Sequence, residues 1–106
     1  MRIDILMRDK LNSCAIIVPV YNEVDGISTF HQSLVKSLSL IKPEISWHII
    51  YINDGSTDKS IDKLLAISKM TKNKVTVLDF SRNFGKEAAA SAGIQEANKM
   101  NIDCAV

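Results

Sequence analysis

The sequence predicts an α/β fold in which helices cover a parallel sheet, and three observations carry that prediction. Four short apolar runs, CAIIVPVY (14–21), WHIIYI (47–52), VTVLDF (75–80) and DCAV (103–106), have the length of strands. The first three also have the β-branched and aromatic content of strands buried on both faces. Segments with helical spacing separate the runs. This alternation calls for right-handed βαβ crossovers, and Thr57 to Thr71 exceeds the roughly one dozen residues that a crossover needs.

Taken in order, residues 1–13 form a lead-in, either frayed or a short helix, to which no function is attached. Arg2, Asp4, Arg8, Asp9 and Lys10 interrupt it too often for a secretory signal. The domain proper is read as residues 14–106. Pro19 within the first run argues for an edge, a bulge or a strand end. The first helix is carried by Ile27, Phe30, Leu34, Leu38 and Ile41 at spacings of three and four, and Lys42-Pro43-Glu44 is a turn after it. Ile61, Leu64, Leu65 and Ser68 mark the second helix less completely. The third spans Lys86 to Met100, where Ala89, Gly93 and Ala97 recur every four residues and would let a backbone pack close. The sequence stops at Val106, directly after the fourth run. Ligands of open parallel sheets bind outside the carboxyl ends of the strands, so the reading is of a sheet cut after its fourth strand, before a further site loop.

Composition excludes several classes. With 106 residues, 46% hydrophobic and 24% charged, the chain is one ordinary globular domain at most. Thirteen basic and twelve acidic residues are interspersed without a basic stripe, which argues against nucleic acid as a partner. The longest apolar run is far short of the roughly 20 residues that span a bilayer, and the chain reads as cytosolic. Cys14 and Cys104 lie in apolar runs and are expected as reduced, buried thiols with no disulfide framework. His31 and His48 sit among apolar neighbours and are read as structural. Without a His/Cys cluster a zinc site is not expected.

Polar groups converge at the strand ends: Pro19 to Glu23 after the first, Asn53 to Asp58 after the second, Ser81 to Lys86 after the third. Gly55 permits a sharp turn, and Ser56, Thr57 or Asp58 can cap the next helix. That leaves Asp54 without a local role. It can accept hydrogen bonds from a base or a ribose hydroxyl, while Tyr21 offers a ring, Glu23 a second acceptor, and Arg82 and Lys86 a positive charge suited to phosphate. Asx-Gly-Ser-Thr-Asp is equally good turn and cap chemistry, and for Asp58 the structural role is preferred.

At VPVYNE, INDGSTD and RNFGKEAAASAG, in this order and spacing, the sequence resembles the family 2 glycosyltransferases. Within them it is most similar to the polyisoprenyl-phosphate hexosyltransferases, the group of dolichol-phosphate mannose synthases and bactoprenol glucosyltransferases. The likeness covers Ala15 to Val106. It implies a Rossmann-like GT-A fold that binds a nucleotide-diphospho-sugar, with a lean to UDP-glucose, and transfers the hexose to a polyprenyl phosphate at the cytoplasmic membrane face. Carried over by position, Pro19, Tyr21, Glu23, Ile52 and Asp54 are implied as nucleotide-sugar contacts, and Arg82 and Lys86 as contacts to the diphosphate or the acceptor phosphate. The family's Asp-X-Asp motif, which holds Mg²⁺ or Mn²⁺, is expected beyond the fourth strand, so no metal ligand is assigned in this chain. No catalytic residue is assigned, and the chain alone is expected not to catalyse transfer.

Two rival readings stand against this one. A dinucleotide-binding half-domain would need Gly-x-Gly-x-x-Gly after the first strand, where Tyr-Asn-Glu-Val-Asp-Gly stands, and a Walker-type loop lacks its Gly-Lys-Ser/Thr. The other is non-catalytic: a truncated nucleotide-binding remnant, or a module that self-associates through an exposed sheet edge.

Overall fold

A computed structural model describes residues 13–41, 45–71 and 74–106. Strand β1 (Ser13–Val20) leads to helix α1 (Ile27–Ile41), β2 (Ser46–Asn53) to α2 (Ser60–Thr71), and β3 (Val75–Asp79) to α3 (Lys86–Lys99), with β4 (Cys104–Ala105) last. All strand pairs are parallel, and their order in the sheet is β3-β2-β1-β4. The α/β reading holds element by element. The lead-in and the Lys42–Glu44 turn lie outside the described residues.

Given this strand order, the hand of the crossovers sets the face that each helix covers. From β1 to β2 to β3 the chain steps one way across the sheet, so crossovers of one hand put α1 and α2 on the same face. The step from β3 back to β4, beyond β1, puts α3 on the other. Two cores result. Val20, Ile27, Leu38, Ile49, Tyr51, Leu64 and Val75 pack on the α1/α2 side. Ala15, Ile50, Ile52, Ala89 and Ala97 pack on the α3 side. Alternate β2 residues thus serve opposite faces, which is why that strand reads as a continuous apolar run rather than an alternating one.

Ile17 donates to the Val106 carbonyl (2.9 Å) and Ala15 accepts from the Val106 N–H (2.8 Å), so the odd-numbered backbone groups of β1 point toward β4. Pro19 is the next odd residue, and its missing N–H removes no bond to β2. The proline therefore leaves the β1–β2 ladder intact.

One expectation is corrected here. Cys14 and Cys104 are not free thiols but form a disulfide, with Cα atoms 4.7 Å apart. The β1/β4 register sets these two residues directly opposite each other. A separation of 90 residues gives no hint of that pairing; only the return of β4 to the side of β1 creates it. Ser13 and Asp103 reinforce the junction, each donating its backbone N–H to the other's side-chain oxygen at 3.1 Å.

Candidate functional site

The order β3-β2-β1-β4 reverses direction at β1, and open parallel sheets form their ligand crevice at such a switch point, outside the carboxyl ends of the strands. Three loops meet at that end, and their hydrogen bonds show what each sequence motif does.

The β1–α1 loop is held from below by the β2–α2 loop. Asn22 takes a left-handed backbone conformation (φ 52°), which asparagine tolerates better than most residues. Its Oδ1 accepts from the N–H groups of Thr57 (2.8 Å) and Asp58 (3.3 Å), while its own N–H donates to Ser56 Oγ (2.9 Å). The next two amides continue the pattern: Glu23 N–H donates to Ser60 Oγ (3.0 Å) and Val24 N–H to Asp58 Oδ2 (3.2 Å). Asp58 Oδ1 in turn accepts from the Ser60 N–H (2.9 Å) and hydroxyl (2.5 Å) at the start of α2. The Ser60 hydroxyl, helped by the backbone N–H groups of Ser60 and Val24, holds the Asp58 carboxyl below its ordinary range. The structural role read for Asp58 is what the geometry shows.

The β3–α3 loop is held by Asp54. Its Oδ1 accepts from Phe84 N–H (2.7 Å), and its Oδ2 from Gly85 N–H (3.0 Å) and Asn83 Nδ2 (3.2 Å). The sequence left Asp54 without a local role. The structure gives it one, 30 residues away, and buries it to 3% exposure. Gly55, at φ 70°, lies so close beneath Arg82 and Asn83 that a Cβ would overlap their backbone.

With Asp54, Ser56, Thr57 and Asp58 of INDGSTD hydrogen-bonded within the protein, the surface is left to other residues. Tyr21 is 47% exposed, and Pro19, Glu23, Arg82 and Lys86 are exposed as well. Pro19 and Glu23, with Gly26 and Phe30, line a cleft of about 230 Å³. The Arg82 guanidinium lies over the Phe84 ring, 4.9 Å from its centroid, and Phe80 meets Phe84 edge-on at 5.6 Å. Of the residues implied by the resemblance, Ile52 does not share this surface: it is fully buried against α3. Asn22, Ser60 and Asn83 were missed as positioning residues; an Asn directly after a strand end was the one signal for Asn22.

A larger cavity, about 730 Å³, opens at the amino ends of β2 and β3, lined by residues such as Val35, Leu38, Trp47 and Val75. Among the described residues no group of three or more His, Cys, Asp or Glu side chains is placed to hold a metal ion. The donors present therefore do not fit a divalent cation. Among these residues, too, no helix is long and apolar enough to cross a membrane.

The chain is 41% identical over 86 residues to the bactoprenol glucosyl transferase of Shigella phage SfV, covering 79% of this chain and 26% of that protein. It is 29% identical over 90 residues to the undecaprenyl-phosphate 4-deoxy-4-formamido-L-arabinose transferase of Proteus mirabilis, covering 85% and 27%. The chain thus spans about a quarter of the length of these relatives. The crystal structure of S. aureus TarS 1–349 superposes with a TM-score of 0.64 at 22% identity, over 80% of this chain and 24% of that one, which supports the GT-A fold. The model of glycosyl transferase family 2 matches residues 15–100, and the chain belongs to that family.

Proposed function

We propose that this chain is the donor-binding part of a glycosyltransferase that moves a hexose from a nucleotide diphosphate to a polyprenyl phosphate at the cytoplasmic membrane face. The observation that carries this reading is the interlock of the three strand-end loops. It spends the polar groups of the β2–α2 loop internally and leaves Tyr21, Glu23, Arg82 and Lys86 facing outward. The bactoprenol glucosyl transferase supports a hexose, while the undecaprenyl-phosphate transferase names a pentose, an arabinose derivative; both names support a polyprenyl acceptor.

In this reading Tyr21 lies against the base, with Pro19 and Glu23 beside it. A carboxylate offers about four acceptor directions, and three protein donors occupy those of Asp54, leaving one for a ribose hydroxyl or a base N–H. Ile52 acts only as buried support beneath it. In the reaction of the whole enzyme, an acceptor phosphate oxygen bonds to the anomeric carbon as the bond from that carbon to the diphosphate breaks. Arg82 and Lys86 stabilise phosphate charge near that centre. The acceptor is already anionic near neutral pH, so positioning matters more than a strong general base. Since the chain spans a quarter of its relatives, donor binding is assigned to it and turnover to the whole enzyme, where Mg²⁺ or Mn²⁺ is expected.

A ¹⁵N NMR titration of the chain with UDP and then GDP tests this. We expect UDP to shift the amides of Tyr21 and Glu23, and those of Arg82 to Lys86, more than GDP does, without turnover of UDP-glucose and a polyprenyl phosphate. Absence of shifts at these loops with either nucleotide would overturn donor binding. Turnover would overturn the division of labour.

A further inference from the structure

Asp54 is the one polar candidate residue that faces inward, onto a loop that is itself exposed. Two consecutive amides, Phe84 and Gly85, and the Asn83 side chain all donate to its carboxylate. Asn83 Nδ2 also reaches the Asp54 carbonyl at 3.2 Å, and Gly55 presses on the same loop from below. Upstream, Phe80 N–H is fixed to the Asn53 carbonyl at 2.9 Å. The loop between these anchors carries Arg82, whose guanidinium rests on the ring of the anchored Phe84, and it ends at Lys86, the first residue of α3.

We propose that Asp54 is a positioning residue: its carboxylate sets the conformation in which the β3–α3 loop presents Arg82 and Lys86 to phosphate. The inference rests on the phosphate reading given above, and it deepens that reading by assigning what holds the cations. Its sign is opposite to that of simple electrostatics. A carboxylate beside an anion site weakens anion binding through like-charge repulsion, so Asp54→Asn, if charge alone mattered, would tighten it. If Asp54 positions the loop, the same substitution weakens binding. An asparagine presents an NH₂ group where one of the converging N–H donors needs an acceptor.

The test is a titration with inorganic pyrophosphate, followed by NMR, of the wild-type chain, Asp54→Asn, Asn83→Ala and the Arg82→Ala/Lys86→Ala double variant, with amide hydrogen exchange on each. For Asp54→Asn we expect pyrophosphate affinity to fall about tenfold, and exchange at Phe84 and Gly85 to accelerate about tenfold or more. Exchange at Ile50 and Ile52 should stay unchanged, showing the sheet intact. Asn83→Ala, which keeps the carboxylate, should give the same changes at smaller amplitude and serves if Asp54→Asn fails to fold. Tighter pyrophosphate binding by Asp54→Asn, or unaltered exchange at Phe84 and Gly85, would overturn the proposal. Wild-type affinity in the double variant would sink the phosphate reading instead, and the exchange rates would still decide whether Asp54 holds the loop.

Discussion

His31 and Tyr51 meet between α1 and β2, with Nδ1 and the phenol oxygen 2.7 Å apart and both side chains buried. Burial lowers the pKa of His31 and raises that of Tyr51 to about 12, because each is held in its neutral form. For Tyr51 the consequence has a definite sign. Between its ordinary value of 10.0 and about 12 the unfolded chain loses the phenol proton and the folded chain keeps it, so stability is full below that window and falls as pH rises through it. For His31 the unfolded chain takes up a proton first, so stability falls as pH drops below 6.5. Urea unfolding as a function of pH should show both flanks, and Tyr51→Phe should remove the alkaline one. That variant should also lose about 1–3 kcal/mol at neutral pH by stranding the buried imidazole nitrogen. An alkaline flank that persists in Tyr51→Phe would refute the assignment. The sequence showed that His31 sits beside Ile27 and Leu34 on a helix face; it could not show the partner, because the His31–Tyr51 pair depends on how α1 lies over β2.

At the scale of elements, α3 was the most legible. Its Ala89, Gly93 and Ala97 stripe predicted a close approach, and these three residues are buried against the sheet. A Cβ at Gly93 would press on Ile17 Cγ2 and Ile52 Cδ1, so the helix backbone is as near the sheet as the isoleucines allow. Gly93→Ala gains helix propensity of about 1 kcal/mol and suffers overpacking of about 1–3 kcal/mol. We expect a net loss of about 1 kcal/mol in urea unfolding, whereas Ser91→Ala on the exposed side of α3 should gain a few tenths. A Gly93→Ala protein as stable as wild type would mean that α3 can lift without cost. The β2–α2 loop was legible only in part. Its turn and cap chemistry follows from residue types within a few positions. The grip of Asp54 and Gly55 on residues 82–85 joins loops about 30 positions apart, and hydrophobic periodicity carries no signal for it.

At the scale of the molecule, alternation and handedness predict a parallel sheet covered by helices, but the order of strands, with β4 beside β1, does not show in local pattern. The Cys14–Cys104 bond ties β4 to the side of β1 that faces away from β2 and closes a loop spanning 90 positions. In the chain-entropy account a loop of that size restricts the unfolded ensemble by about 4–5 kcal/mol. That is a large share of the roughly 5–15 kcal/mol available to a domain of this size. Cys14 is 3% exposed, whereas Cys104 is only partly buried, so a reductant's way in is the Cys104 sulfur. Reduction should therefore proceed in native conditions, and once complete it should lower the melting temperature by roughly 15 °C or more, at about 4–8 °C per kcal/mol. Cys14→Ala/Cys104→Ala should melt with the reduced protein and ignore reductant. Two titratable thiols in the purified chain, or a melting temperature that reductant leaves unchanged, would show that hydrogen bonds alone hold β4 in place.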